Sequence, residues 1–428
     1  MSGTILSFAK RPLSKFEASI AFLIGFGILF YFYSDCVNRQ WDFPVYYLAA
    51  KAVANHQNPY DPSILQSIAD AEEEVGYGGG LPYLYPPHLA RMLSLFGKAP
   101  FFASSFFWMT FKCAALEMIL FLSFALMRIP VTPLALIVGN IAALFFRPAA
   151  LDFNAGNAAT FEYALILAGL YAWSRSRFCA AGFFTILGGS IKGTSLLITL
   201  YPIHLRDWRF LRALTIAAII LGCFLVWDWR ILLRFFEFYQ SPLWKQMWDE
   251  QVQSFYNCSY ATVILRTFSY TYFAEPILAI PLLSTILIPL FPLFIFASMA
   301  FFLQKQRRQS QSLFNPTSGI VLSMILCGVL LLPPRLAGYT LIWTLFPFFQ
   351  IIHTSWKNRI YIALPYVLTG LILIQLNLPP NHIPHGIPQL LIDKDFFGLL
   401  LLFISSLLLI QYSSKPTVSG QEASDYEA

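Results

Sequence analysis

The sequence predicts an all-α, polytopic integral membrane protein, and two observations carry this prediction. Of the 428 residues, 57% are hydrophobic and only 12% are charged, whereas soluble chains carry roughly 25% charged residues. Many apolar runs are longer than about 18 residues, the length that crosses a bilayer as a helix. The runs also lack the alternation of apolar and polar residues that a membrane β-strand requires, so we expect a helical bundle.

About ten full spans are predicted. The first follows Lys10, Arg11 and Lys15 and resembles a signal sequence without a small-residue cleavage site, so we expect an uncleaved helix with a cytoplasmic amino end. The predicted spans are centred on residues 16–33, 101–127, 131–147, 157–174, 212–228, 276–303, 317–334, 337–354, 359–376 and 397–412.

Residues 178–205 are predicted to add a hairpin of two short helices. The segment is apolar but interrupted at Gly188-Gly189 and at Lys192-Gly193, and arginines flank both of its ends. A re-entrant hairpin with Lys192 at its tip explains these charges, because non-helical backbone at membrane depth is tolerated where it lines a cavity. A pair of full, tilted spans is the alternative.

Residues 1–412 are predicted to form a single transmembrane domain. Its two long outer loops are residues 34–100 and 229–275, and the first contains segments of mixed aromatic and apolar character that predict helices lying in the membrane interface. Residues 413–428 are polar and acidic, which predicts a disordered cytoplasmic tail.

Charge and cysteine content argue against a nucleic-acid partner, a metal site and a cofactor. The net charge of +6 is weak evidence for nucleic acid, because membrane proteins concentrate basic residues in cytoplasmic loops. The six cysteines lack CxxC spacing, and no glycine-rich phosphate loop is present. Asp393-Lys394-Asp395 has the DxD form of some nucleotide-sugar sites, but we expect it in the last outer loop, away from cytoplasmic nucleotides.

Asp42 is the leading candidate for a catalytic residue. It follows the first span, between Trp41 and Phe43, where a carboxylate near the headgroup plane stays hydrated enough to be ionised and to act as a base. The alternative is that Asp42 caps a helix beginning near Pro44. The two roles can coexist.

An ordered set of motifs between residues 42 and 210 resembles glycosyltransferase family 87, the polyprenyl-phosphate-mannose-dependent mannosyltransferases of the GT-C type. The motifs are Asp42-Phe43-Pro44-Val45-Tyr46-Tyr47, Asn58-Pro59-Tyr60-Asp61, Tyr83-Leu84-Tyr85-Pro86-Pro87, Gly156-Asn157 and Lys192. The chain departs from the family pattern at Asn157, where glutamine is usual, and near Arg335 and Tyr339, where the family has histidine. The resemblance therefore leaves the sugar open.

The resemblance implies a GT-C fold and an inverting, metal-independent transfer of a sugar from a polyprenyl-phosphate donor to a lipid or glycan acceptor. The sugar would be mannose or another hexose or pentose. The site would face the extracytoplasmic side of a bacterial inner membrane, with membrane lipid around it. Asp42 would then be the catalytic base, because inversion needs no covalent intermediate.

A polyprenyl-phosphate leaving group requires fixed cations near the reacting bond. The candidates for binding the donor phosphate are Lys192, Arg335, Arg147 and Arg266. Lys192 could instead snorkel to the cytoplasm or pair with Glu162 or Glu117, and a single interfacial arginine is often only a membrane anchor.

The candidates for substrate binding are polar and aromatic residues of the predicted outer loops and helix ends. They are Tyr46, Tyr85, His88, Asp152, Asn154, Asn157 and Tyr339. For the loop residues, capping and turn formation are the alternative.

Two other functions remain open at this point. A transporter or flippase of lipid-linked or small polar substrates accommodates ten spans and a broken hairpin, but no internal repeat is evident. A noncatalytic scaffold would make Asp42 dispensable.

Overall fold

The computed structural model describes residues 11–72, 75, 82–227, 229–309, 319–378 and 386–413. Within these residues the protein is all-α and contains no β-strand; the one extended pairing is an isolated antiparallel bridge between Asn257 and Ala337. The predicted fold class is confirmed. Residues 414–428 of the predicted tail lie outside the described residues.

The helices that organise the described residues are numbered in chain order. They are α1 (Lys15–Tyr33), α2 (Phe43–Ala54), α3 (Pro62–Asp70), α4 (Pro87–Leu93), α5 (Phe101–Met127), α6 (Pro133–Phe145), α7 (Arg147–Ala155), α8 (Ala159–Ser174), α9 (Phe178–Ile191), α10 (Leu200–Leu205), α11 (Trp208–Trp227), α12 (Trp229–Tyr239), α13 (Pro242–Gln253), α14 (Tyr260–Phe268), α15 (Pro281–Gln309), α16 (Gly319–Leu331), α17 (Leu345–Lys357), α18 (Leu364–Gln375) and α19 (Lys394–Ser413).

The chain is a membrane protein with five described helices that are long and apolar enough to cross a bilayer. They contain α1, α5, α11, α15 and α19, and α6 with α7 would form a sixth span bent by 61°. Of three shorter apolar helices, Gly319–Leu331 and Tyr361–Gln375 correspond to predicted crossings, and Phe178–Ile191 corresponds to the first half of the predicted hairpin. The predicted number of about ten spans stays a prediction.

The predicted interruption at Lys192 is present. Helix α9 ends at Ile191, Lys192 has an extended backbone (φ −134°, ψ 115°), and a 3₁₀ helix follows over Gly193–Thr199. Another break lies within the predicted span 337–354, where a 3₁₀ helix over Gly338–Thr344 precedes α17. Both breaks bring non-helical backbone to the same cavity, described below.

Two hydrophobic cores hold these elements together. The larger core lies among the long helices, where α8 packs against α5 and α9. The smaller core surrounds α2, whose side chains are buried on nearly every face by α3, α4 and Trp108. The helices predicted in the first outer loop are therefore present. Helix α2 is more deeply buried than a helix resting on a membrane surface. This burial fixes the position of Asp42 at its start.

Candidate active site

Asp42 immediately precedes α2, with Pro44 in the first turn of that helix. It occupies the N-cap position, yet its carboxylate makes no capping hydrogen bond. Instead Oδ2 accepts a hydrogen bond of 2.7 Å from the Asn157 side-chain nitrogen. The side chain is half-buried. Asp42 thus occupies the N-cap position through its backbone, while its carboxylate bonds to Asn157 and does not cap the helix.

The connection between α7 and α8 holds Asn157 in place. Gly156 ends α7 with φ +67°, and a Cβ there would lie 2.8 Å from the Cβ of Phe43, so only glycine fits. The Trp108 indole donates to the Gly156 carbonyl at 2.8 Å. The Asp42 amide donates to the Ala155 carbonyl at 2.7 Å, which joins the start of α2 to the end of α7.

The Asn157 carboxamide connects three side chains. Its nitrogen donates to Asp42 and also to the Tyr85 hydroxyl at 2.9 Å. Its oxygen accepts from Lys192 Nζ at 2.8 Å. The nitrogen faces a carboxylate and the oxygen faces an ammonium group, so the chemistry of the partners fixes the orientation of the amide.

Lys192 is therefore directed toward Asn157, the residue that also bonds to Asp42. Its Nζ lies 4.9 Å from the ring centroid of Tyr339 and 6.0 Å from that of Tyr85, distances at which an aromatic face stabilises a cation. Among the described residues Lys192 forms no ion pair with Glu162 or Glu117. The alternative that Lys192 pairs with Glu162 or Glu117 is therefore not adopted in the described part of the chain.

A buried ion pair supports Asn157 from the protein side. Lys112 and Asp152 are fully buried and form an ion pair of 2.7 Å. Lys112 Nζ also donates to the backbone carbonyls of Asp152 and Asn157, each at 2.7 Å, and Thr160 donates to the Asp152 carboxylate. Asp152, a predicted substrate contact, thus holds the backbone beneath the site.

A cavity of about 390 Å³ lies beside Asn157. Its polar wall contains Lys192, Arg335, Glu162, Tyr85 and Tyr339. The remaining wall is mainly aromatic and apolar, with Phe235, Tyr239, Trp244, Trp248, Leu330 and Trp343 among its residues. Asp42 and Asn157 are outside this wall, and Asn157 connects Asp42 to it by bonding to the lining residues Tyr85 and Lys192.

Arg335 is the cation of this cavity that has no partner in the described part of the chain: its guanidinium makes no hydrogen bond and no ion pair there. The backbone around Arg335 is held by residues of the segment 229–275, the predicted second outer loop. The Asn257 side chain donates to the Pro334 carbonyl at 3.1 Å and accepts from the Leu336 amide at 2.7 Å. Ser259 donates to the same Pro334 carbonyl at 2.5 Å. Sequence reasoning gave no positioning role to Asn257 or Ser259, because their partners lie more than seventy residues away.

Arg147 and Arg266 do not line the cavity. Arg147 forms an ion pair of 2.9 Å with Asp395, and Arg266 is buried in an ion pair with Asp393. The aspartates of the DxD sequence therefore tie α19, through Asp395, and the 3₁₀ helix Ile387–Asp393 before it, through Asp393, to α7 and α14. The charges of Arg147 and Arg266 are neutralised by these aspartates. Lys192 and Arg335 differ from them because they line the cavity and form no ion pair among the described residues.

The remaining residues predicted to bind substrate also differ in whether they lie next to the site. Tyr46 is buried with its ring 4.8 Å from that of Tyr85, so it lies next to the site. Asn154 donates to the Ala150 carbonyl of its own helix at 2.8 Å and is not part of the cavity wall. His88 is buried outside that wall, and burial lowers its pKa to about 4, so its imidazole is neutral at neutral pH.

The surroundings of Asp42 favour a base. Burial raises the pKa of the carboxyl, while the Asn157 hydrogen bond and the Lys192 charge lower it, and the net shift is upward. A carboxylate with a raised pKa takes a proton more readily than an exposed one. Burial also raises the pKa of Tyr85, which keeps its phenol neutral.

Among the described residues, no group of three or more His, Cys, Asp or Glu side chains is arranged to hold a metal ion. The cavity offers an ammonium and a guanidinium group to an anion instead.

Comparison with known proteins identifies one family. Residues 83–333, more than half of the chain, match the model of glycosyltransferase family 87. The matched range includes Tyr85, Asn157 and Lys192, whereas Arg335 lies two residues beyond its end and Asp42 lies 41 residues before its start. No curated protein and no solved structure gives a significant match.

Proposed function

Because the chain belongs to glycosyltransferase family 87, we propose that it moves a sugar from a polyprenyl-phosphate donor to a hydroxyl of a lipid or glycan acceptor, with inversion at the anomeric carbon. The reaction takes place on the extracytoplasmic face of a bacterial inner membrane. Membership of this family favours sugar transfer over the transporter and scaffold alternatives. The observation that carries the proposal is the chain of hydrogen bonds Asp42–Asn157–Lys192 beside a cavity that contains Arg335, which forms no ion pair among the described residues.

Asp42 is the base of this reaction. The acceptor oxygen attacks the anomeric carbon while its proton passes to the Asp42 carboxylate. The bond from that carbon to the phosphate oxygen breaks, and its electron pair leaves with the polyprenyl phosphate. Inversion by single displacement needs one carboxylate base and no enzyme nucleophile, which agrees with a single carboxylate bonded to Asn157.

Lys192 and Arg335 stabilise the leaving phosphate. Fixed cations in a cleft that excludes water act most strongly where charge develops in the transition state. Lys192 also donates to Asn157 Oδ1 at 2.8 Å. Asn157 therefore positions both Lys192, which binds the donor phosphate, and Asp42, which takes the proton of the acceptor. A monophosphate leaving group facing two cations requires no divalent ion, and the proposed reaction is metal-independent.

The aromatic and apolar wall suits the lipid part of the donor. Phe235, Trp244 and Trp248 line the cavity from α12 and α13, and both helices carry exposed apolar side chains, including Trp229, Phe236 and Leu243. Such helices rest at a membrane surface, where a polyprenyl chain would leave the cavity for the bilayer.

A donor panel tests the proposal. The purified protein is reconstituted in lipid vesicles and given radiolabelled polyprenyl-phosphate mannose, glucose or arabinose, with membrane lipid and glycan extract as acceptor. We expect label from at least one of these donors to move to an acceptor, and no transfer from nucleotide sugars. Transfer from nucleotide sugars alone would contradict the proposed donor class.

The proposed sidedness has its own test. Asp35 is exposed in the first outer loop, so a cysteine at this position, in a chain whose six native cysteines are replaced by alanine, should react in intact cells with a membrane-impermeant maleimide. Labelling only after the cytoplasm is opened would contradict an extracytoplasmic site.

A further inference from the structure

Two buried polar atoms in the cavity wall have no partner among the described residues. They are Oε2 of Glu162 and Nε1 of Trp343. Both residues are 1% exposed, and both line the cavity that contains Lys192 and Arg335. A buried polar group without a hydrogen bond is costly, and such groups in folded proteins call for an explanation. Oε2 of Glu162 accepts a hydrogen bond and Nε1 of Trp343 donates one. An apolar ligand can therefore satisfy neither atom.

The fold holds these two groups firmly. Glu162 lies in the first turn of α8, the helix that follows Asn157. Trp343 belongs to the 3₁₀ helix Gly338–Thr344, and its ring stacks on Tyr163 of α8 with centroids 5.4 Å apart and planes 19° apart. The same 3₁₀ helix carries Tyr339 against Lys192. Both orphan atoms are thus fixed relative to the Asp42–Asn157–Lys192 series.

We propose that Glu162 and Trp343 bind hydroxyl groups of the sugar that is transferred, an inference that rests on the proposed function. A polyprenyl-phosphate sugar has three chemically distinct parts. The polyprenyl chain offers no hydrogen bonds. An ionised phosphate accepts hydrogen bonds and could satisfy Trp343, but it has no proton to give to Glu162. A sugar hydroxyl both donates and accepts, so of these three parts of the donor the sugar alone satisfies both atoms.

This arrangement divides the cavity by chemistry. Lys192 and Arg335 supply positive charge for the phosphate, whereas Glu162 and Trp343 supply an acceptor and a donor for the ring. A site built to hydrogen-bond a hydroxyl discriminates strongly against an analogue that lacks it, because the buried groups are then left unpaired. The two residues are therefore expected to determine which sugar is accepted.

The test compares binding of two ligands, polyprenyl phosphate with and without its sugar, to detergent-purified protein by equilibrium dialysis. The variants are Glu162→Met, which removes the acceptor at similar volume, and Trp343→Phe, which removes the donor and keeps an aromatic ring. Glu117→Met is the matched control, since Glu117 is a buried carboxyl of α5 that does not line the cavity.

We expect Glu162→Met to weaken binding of the sugar-bearing lipid about 10- to 100-fold and Trp343→Phe about 2- to 10-fold, the ranges for charged and neutral hydrogen bonds. Binding of bare polyprenyl phosphate should stay within about twofold in both variants. The Glu117→Met control should bind both lipids as the unaltered chain does.

Three outcomes would overturn the assignment of the sugar site. They are unchanged affinity for the sugar-bearing lipid in Glu162→Met, equal loss of both lipids, and an unaltered protein that binds both lipids equally well. In each of these cases the proposed donor class survives. An unaltered protein that binds neither lipid would instead overturn the proposed function, and the sugar site with it.

Discussion

Asn157 donates a hydrogen bond to Asp42 at 2.7 Å with the same carboxamide whose oxygen accepts from Lys192 at 2.8 Å. Donor and acceptor atoms of one planar group cannot move independently, so the position of the carboxylate depends on the position of the ammonium group. The backbone of Asn157 is in turn held by Lys112 at 2.7 Å. A residue with no proton to transfer at neutral pH therefore determines the geometry of the proposed base.

Replacing the proposed base removes proton transfer and leaves the shape of the site intact. Asp42→Asn should lower the rate of transfer by about 10²- to 10⁴-fold, the usual contribution of a positioned general base. Folding should be preserved, because the Asp42 carboxylate makes no capping hydrogen bond to α2. The measurements are turnover in vesicles and the melting temperature in detergent.

Asp35→Asn is the matched control for this variant. Asp35 lies in the same predicted outer loop but is exposed and outside the cavity wall. Its turnover should equal that of the unaltered chain. An Asp42→Asn protein with normal turnover would rule out Asp42 as the base.

Asn157→Ala should lower turnover about 10- to 100-fold while donor binding falls less, because the variant releases Asp42 and Lys192 from one another without removing either. Turnover is measured per mole of folded protein, taken from the monodisperse fraction in size-exclusion chromatography, because loss of folding alone would also lower the apparent kcat and leave KM unchanged. Asn154→Ala is the control, because among the described residues Asn154 bonds to the Ala150 carbonyl of α7 and to Cys36 and not to the site. Equal effects of the two substitutions would contradict the special role of Asn157.

Much of this organisation could be predicted from local sequence. The bounds of α5, Phe101–Met127, agree with the predicted span, and the break at Lys192 is where glycines and a lysine interrupt an apolar run. Both signals are local, because helix length and helix interruption depend on neighbouring residues. The same is true of Gly156, which ends α7 in the left-handed conformation.

The choice among cations could not be predicted in this way. Arg147, Arg266 and Arg335 all follow or precede apolar helices, and nothing near them in sequence distinguishes a free guanidinium from a neutralised one. The partners of the first two, Asp395 and Asp393, lie 248 and 127 residues away in the chain. Such pairing is a property of the packed bundle, and the same holds for the unpaired atoms of Glu162 and Trp343.

The two kinds of arginine predict opposite effects of substitution. Arg335→Ala should leave the melting temperature nearly unchanged and raise the KM for the donor about 10- to 100-fold, because it removes a phosphate contact and no internal bond. Arg266→Ala should instead destabilise the protein by about 3–5 kcal/mol, because it leaves Asp393 buried without its partner. A large loss of stability in Arg335→Ala with normal donor KM would contradict the phosphate role.

Removal of divalent ions should not affect transfer. Lys192 and Arg335 face the cavity as fixed positive charges, and they neutralise a monophosphate without help from a metal ion. Turnover should be the same before and after dialysis against a chelator, with a metal-dependent glycosyltransferase treated in parallel to show that the chelator works. Loss of turnover that is restored by Mg²⁺ or Mn²⁺ would contradict this expectation.

The pH dependence of turnover reports directly on Asp42. Burial raises the pKa of its carboxyl, and a base works only when deprotonated, so activity should be full above the raised pKa and lost as the pH falls through it. The acid limb should therefore lie at higher pH than the ordinary pKa of an aspartate would give. The profile of kcat against pH in vesicles measures this limb.

Lys192→Met should move the same limb further toward neutral pH. The Lys192 charge lowers the pKa of Asp42, so its removal lets burial raise that pKa more, in addition to any fall in turnover from the lost phosphate contact. Lys98→Met, at an exposed lysine outside the cavity wall, should leave the limb in place. The pH at which the acid limb falls does not depend on the maximal turnover, so the limb can be compared between variants of different activity. An unshifted limb in Lys192→Met would show that the titrating base does not sense the Lys192 charge. That base would then be a group other than Asp42.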